Sequence, residues 1–304
     1  MPDLPPDGGY FLPKEPPVFS REELEALLRV NFHECTARVL NTLFDTRLTG
    51  ADIELCVGKR PVRLRDLGQR MVILECWHTP EGEEAGLAGV LARLIRGGGP
   101  ENRPGDWPSV AIRGALLFAC LGELRRAGMV HPGQYLDFAA VAGDMSAVMS
   151  GWYARAWGLP IKNLVCVCNE NNGMWELLHH GELKTDTVSV PTVTPAADIP
   201  VPAGLERLIF SCGGINETSR FVNDFRCGRT YVPEEETLER MRKGLSVSVI
   251  GIQRVIRTKA AVKRSVGYSL SSYDALCYAG VQDFRAQGGG INPCVLLSQF
   301  SPEE

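Results

Sequence analysis

Apolar positions along the chain fall into two rhythms, one of three to four residues and one of short continuous runs. Leu24, Leu27 and Leu28 share one side of a helix, and Ser20-Arg21-Glu22-Glu23 just ahead of them spells a capping box. Val39, Leu40, Leu43 and Phe44 repeat the spacing in a second helix. The run Met71-Val72-Ile73-Leu74-Glu75-Cys76-Trp77 predicts a short strand, and the first eighty residues otherwise predict helix. Leu87, Val90, Leu91, Leu94 and Ile95 mark a further helix, stopped by Gly97-Gly98-Gly99-Pro100. From there the rhythms alternate: helix over 109–126, strand over 135–142, helix over 146–157, strand over 161–168, helix over 173–180, helix over 272–287 and a last strand over 292–297. Strands alternating with helices predict parallel βαβ units, with ligands beyond the carboxyl ends of the strands. The expected division is a helical N-terminal subdomain, 1–77, ending in a strand, followed by an α/β core, 78–304.

Composition narrows the class. The chain has 304 residues with 44% hydrophobic and 22% charged, an ordinary globular balance. Its 32 basic and 36 acidic residues leave a net charge of −4, which argues against a nucleic-acid partner. Five cations lie between Arg254 and Arg264 without an acid among them, enough for one anion but short of a polyanion groove; a solvated helix face is the simpler reading. No run of eighteen apolar residues exists, and the N-terminus has neither a cationic nor an apolar leader region, so neither a membrane partner nor a secretory signal is expected. Ten scattered cysteines, most inside apolar runs such as Leu164-Val165-Cys166-Val167-Cys168, predict reduced core thiols and a cytoplasmic protein. No metal site is expected. The doublet His179-His180 before Gly181 suits a helix C-terminus better than a metal.

Several strings resemble the threonine synthase family, pyridoxal-phosphate enzymes of fold type II. Asp7-Gly8-Gly9-Tyr10-Phe11-Leu12-Pro13 is similar to its opening, and Glu75-Cys76-Trp77-His78-Thr79-Pro80 resembles its ELFHGP. Gly151-Trp152-Tyr153-Ala154 with Gly158-Leu159-Pro160-Ile161, Asn169-Glu170-Asn171, and Leu205-Glu206-Arg207-Leu208-Ile209-Phe210 follow in the same order as in the family. The resemblance implies the large domain of a fold-type-II enzyme, a mostly parallel sheet flanked by helices.

The departures bear on chemistry. Where the family's Schiff-base lysine would stand, the count from His78 reaches Ala85. The family's glycine-rich phosphate cradle corresponds to Gly143-Asp144-Met145-Ser146-Ala147, where one glycine of two remains. Asp144 would oppose a phosphate by about 1 to 4 kcal/mol per charge pair at contact range. Gln299 stands where the family's threonine meets the pyridine nitrogen, and only residues 96–108 intervene where its cofactor-clamping lobe would be. No cofactor is therefore expected.

In place of the lost lysine, Glu81, Glu83 and Glu84 follow His78 just ahead of a helix start. They read either as a capping cluster favoured by the helix dipole or as acid/base groups beside His78. Asn169, Glu170 and Asn171 lie at a strand's carboxyl end, as a ligand site or as a strand-to-helix turn. Arg207 matches an arginine of the family expected to hold an anionic group, with Gly204 replacing the preceding asparagine. Tyr273 and Asp274 are further proton-transfer candidates or helix caps. With Asp144, Ser146 and Gln299 these complete the candidate binding set. Two functions stay open: a cofactor-independent enzyme doing lyase, isomerase or cyclase chemistry on a small carboxylated metabolite, and a non-catalytic paralogue binding a ligand or protein. Loss of a clamping lobe uncovers surface, so a homodimer is expected.

Overall fold

The computed structural model describes residues 17–59, 62–78, 86–96 and 107–302. Glu81, Glu83, Glu84, Ala85 and most of the 96–108 segment lie outside the described residues.

Three helices open the chain: α1 (Arg21–Arg29), α2 (Phe32–Phe44) and α3 (Gly50–Val57). The capping box expected at Ser20 forms: the Glu23 amide donates to Ser20 Oγ at 3.2 Å, and the Ser20 amide to Glu23 Oε2 at 2.8 Å. Strands β1 (Arg63–Asp66) and β2 (Met71–Glu75) come next, then α4 (Gly86–Arg96), α5 (Trp107–Arg126), β3 (Leu136–Val141), α6 (Ser146–Ala156), β4 (Ile161–Cys168) and α7 (Gly173–His180). The remainder is α8 (Leu205–Arg226), α9 (Glu235–Gly244), β5 (Ser246–Val249), α10 (Ile252–Val266), α11 (Ser272–Ala286) and β6 (Cys294–Ser298). Helix α8 is broken at Gly214, whose φ of 75° no helix accommodates.

The six strands form one sheet in the order β1-β2-β6-β3-β4-β5. β1 is an antiparallel edge, and every other pairing is parallel. Parallel sheets are covered on both faces, and the strand residues divide accordingly. Val72, Leu74, Phe138 and Leu164 face a core shared with α1 to α6, whereas Met71, Ile73, Ala139, Val165 and Leu296 face α10 and α11. The sheet is thus mostly parallel and flanked by helices, as the sequence predicts. β1 was not expected: a charged four-residue strand holds an edge with little apolar content, and only Leu64 packs against the core. β5 and α9 were not expected either.

Helix α5 is long and apolar enough by composition to cross a membrane, yet 89% of its most apolar window is buried inside the fold, as a core helix requires. Gly151 lets α6 lie flat on the sheet, since a Cβ there would come within 2.4 Å of the Phe138 ring. No disulfide joins the ten cysteines, and all but Cys56 and Cys227 are buried. Cys166 and Cys168 both face the α1 to α6 core.

Candidate functional site

The carboxyl ends of β2, β6, β3 and β4 gather most of the polar side chains that the core otherwise excludes. Glu75 ends β2, an all-buried strand, and is itself 3% exposed. A carboxyl group at that depth needs donors. It has three: His78 Nε2 lies 2.8 Å from Oε2, the Tyr268 hydroxyl donates to Oε1 at 2.8 Å, and Arg65 Nε stands 3.5 Å from Oε1. A carboxylate only accepts, so Nε2 carries the proton of a neutral His78 ring and Nδ1 keeps the lone pair. The ring also lies against Trp77, with centroids 3.5 Å apart. Burial, with the Glu75 carboxylate beside it, pushes the Tyr268 phenol well above its ordinary range.

Glu75 pairs across the sheet with Ser298, the last residue of β6. The Ser298 hydroxyl donates to Asp274 Oδ2 at 2.8 Å, and Ser271 Oγ donates to the same oxygen at 2.7 Å. Asp274 is 4% exposed, and burial pushes its carboxyl up to about 6 against the lowering effect of the two serines; the nearby Glu75 charge adds to the rise. Ser271 also accepts the Asp274 amide as the cap of α11, so the cap reading holds alongside the titratable one.

At the carboxyl end of β3 the chain turns through Gly143 (φ 35°) and Met145 (φ 58°) into α6. Met145, at the N-cap, gives no side-chain cap. Asp144 supplies one instead: the Ser146 amide donates to its Oδ1 at 3.0 Å and Ser146 Oγ to its Oδ2 at 2.8 Å. The first turn of α6 therefore holds an internal carboxylate, favoured there by the helix dipole.

The Asn169-Glu170-Asn171 string resolves into a turn rather than an open ligand set. Asn169 Nδ2 donates to Thr192 Oγ1, Thr194 Oγ1 and Asp198 Oδ1 at 2.7 to 2.9 Å, and its Oδ1 accepts the Asn171 amide at 2.8 Å. Asn171 Nδ2 donates to the Val190 carbonyl at 2.8 Å. Glu170 Oε1 accepts the Ile252 amide at 2.9 Å and so caps α10. This knot anchors the segment after Val190, whose Ala196 amide donates to the Tyr273 hydroxyl at 2.9 Å; the Tyr273 ring stacks on Phe300. Gln299 Oε1 accepts Arg113 Nε at 2.8 Å. Arg207 is 1% exposed, inside the core rather than at the cleft. His179 stacks on Trp175 in the last turn of α7, closed by Gly181 in the left-handed region, as expected for a helix end. Among the described residues no cluster of three metal-ligating side chains occurs.

Sequence reasoning brought His78 and Asp274 to one end of the sheet but missed Glu75, Tyr268, Ser298 and Arg113 as participants. Glu75 had a legible signal, a lone acid closing an otherwise apolar strand. Tyr268 had none, because it comes from a loop 193 residues away.

A family model described as "Threonine synthase N terminus" matches residues 1–60. The threonine synthase of Pseudomonas aeruginosa is 24% identical over 156 residues, covering 51% of this chain and 33% of that enzyme. The threonine synthase of Eremothecium gossypii is 34% identical over 80 residues, covering 26% of this chain and 15% of that one. The chain thus spans about a third or less of the length of these curated relatives. Among solved structures, the pyridoxal-phosphate-bound threonine synthase of Brucella melitensis superposes with a TM-score of 0.82 at 19% identity, covering 99% of this chain and 84% of that one. The yeast threonine synthase gives 0.79 at 15% identity, covering 99% and 83%. These superpositions establish the fold.

Proposed function

The chain belongs to the threonine synthase family, and from that premise we propose that it works without pyridoxal phosphate, as an acid/base enzyme on a small carboxylated metabolite. The observation that carries this reading is Asp144. In the position that resembles the family's phosphate cradle, its carboxylate takes both the amide and the hydroxyl of Ser146. A dianion entering there would have to displace a carboxylate and then sit beside it. The side chain at the pyridine-nitrogen position, Gln299, is engaged by Arg113, and the sequence has Ala85 in place of the lysine. These residues do not fit pyridoxal phosphate, and no step is routed through it.

The chemistry instead falls to the group at the ends of β2 and β6. His78 accepts a proton at Nδ1 while Glu75 holds Nε2–H and balances the charge that develops on the ring. Tyr268 fixes the second oxygen of Glu75 and so acts as a positioning residue. Asp274, its carboxyl raised to about 6, exchanges a proton near neutrality through its contact with Ser298. Glu81, Glu83 and Glu84 follow His78 within six residues and supply further carboxylates. Such a set suits proton abstraction beside a carbonyl, the step common to lyases, isomerases and cyclases. The proposal includes a second copy of this chain as partner and a cytoplasmic location, in keeping with its ten reduced thiols.

The test is proton exchange. A panel of small carboxylates in deuterated water is followed by NMR for loss of the C–H signal beside the carboxylate, with wild type and His78→Asn. Exchange in the wild type and a fall of roughly a hundredfold or more in the variant are expected, the scale of general acid/base catalysis. A wild type that binds a carboxylate without exchanging any proton would favour the ligand-binding paralogue. Titration with pyridoxal phosphate is expected to give no aldimine band that borohydride removes.

A further inference from the structure

Two arginines compete as the anchor for a carboxylate. Arg207 was the one singled out by sequence, but at 1% exposure it lies within the core. Arg113, on α5, lines a cavity of about 150 Å³ together with Cys76, Leu87, Leu116, Gln299 and Phe300. This cavity lies at the carboxyl ends of β2 and β6 on the α1 to α6 side of the sheet, since Cys76 and Leu297 point that way while Glu75 and Ser298 point the other. Arg113 is the one charged residue on the cavity's wall. Its plane is set by two bonds, Nε–H to Gln299 Oε1 at 2.8 Å and Nη1–H to the Ser109 carbonyl at 3.0 Å. A cavity of this volume holds roughly one benzene-sized molecule.

We propose that Arg113 is the carboxylate anchor of this cavity, and that the ligand class is a short monocarboxylate with an apolar tail of a few carbons. A guanidinium held in a fixed plane receives a carboxylate as a fork, with charge-assisted hydrogen bonds stronger than neutral ones. The apolar remainder of the wall, Leu87, Ala88, Leu116, Leu297 and Phe300, excludes water from the tail and disfavours a second charge. Gln299 takes a defined role as the positioning residue for Arg113. That role accounts for an amide where a relative of this family would carry a hydroxyl. The proposal rests on the reading of a cleft without pyridoxal phosphate, but it concerns binding alone and stands apart from proton transfer at His78.

Calorimetric titration with acetate, propionate, isobutyrate and isovalerate, and with isobutylamine as a cationic control, tests it. Affinity is expected to rise with the tail until the cavity is full, and the amine is expected not to bind. Arg113→Gln is expected to weaken the best carboxylate by roughly tenfold or more. Ala88→Phe, which fills the cavity and leaves Arg113 in place, is expected to abolish binding, and His78→Asn to leave it unchanged. Circular dichroism verifies that each variant is folded. Equal affinity in wild type and Arg113→Gln overturns the proposal, as does equal binding of the amine or no carboxylate binding by the wild type at millimolar concentration. Loss of exchange in His78→Asn with binding intact separates the catalytic reading from this one.

Discussion

At the scale of single residues, the buried acids decide how the protein responds to pH. Asp274 has its carboxyl raised from an ordinary 3.8 to about 6, chiefly by burial. The folded state therefore prefers the protonated form. Its contribution to stability is complete below pH 3.8 and is lost as pH rises through about 6. A shift of roughly two units corresponds to about 3 kcal/mol between the two limits. Asp274→Asn keeps an acceptor for Ser271 and Ser298 but cannot titrate. Urea denaturation from pH 4 to pH 8 is expected to show the wild type losing about that much more stability than the variant over the interval. Parallel profiles would mean that Asp274 titrates as an ordinary surface acid. Asp144 has a different task, since it is half-buried and caps α6 rather than titrating in a closed site.

Elements are placed by a few close approaches. Helix α6 rests on β3 because position 151 is glycine, and a methyl there would meet the Phe138 ring at 2.4 Å. Ring and helix would have to separate, and overpacking of this kind costs about 1 to 3 kcal/mol. Gly151→Ala is expected to lower the denaturation midpoint by that amount with an unchanged slope; an unaltered midpoint would show that the helix has room to shift. The strand over 161–168 and the helix over 173–180 were legible in sequence to the residue, because both carry local stop signals: Gly158 and Pro160 before β4, and Gly181 in the left-handed region after α7. β1 was not legible. Arg63-Leu64-Arg65-Asp66 has one apolar side chain, and its pairing energy comes from β2, not from itself.

For the molecule as a whole, the apolar residues left outside bear on its assembly. Phe210, Ile215 and Phe225 on α8 are 40%, 65% and 47% exposed, more apolar surface than one helix of a monomer needs to show. Sedimentation velocity across the micromolar range is expected to give a dimer. One monomeric species at every concentration would remove the proposed second copy and leave the α8 surface without that explanation.

What the sequence determined by itself is what depends on neighbours within a few residues. Capping at Ser20 and Ser271, the glycine stops, the alternation of strand and helix and hence a parallel sheet all follow from local geometry and the burial of apolar faces. The order β1-β2-β6-β3-β4-β5, which brings residues 71–75 beside residues 294–298, depends on packing across more than two hundred residues. That juxtaposition alone lets Tyr268 reach Glu75 and Ser298 reach Asp274. It also turned Arg207 inward and Arg113 toward a cavity, although both are lone arginines in helical segments. A residue's type sets which bonds it can make. Only the closed fold sets its distance from water, and with it the cost of leaving a charge unpaired and the proton affinity of a carboxyl.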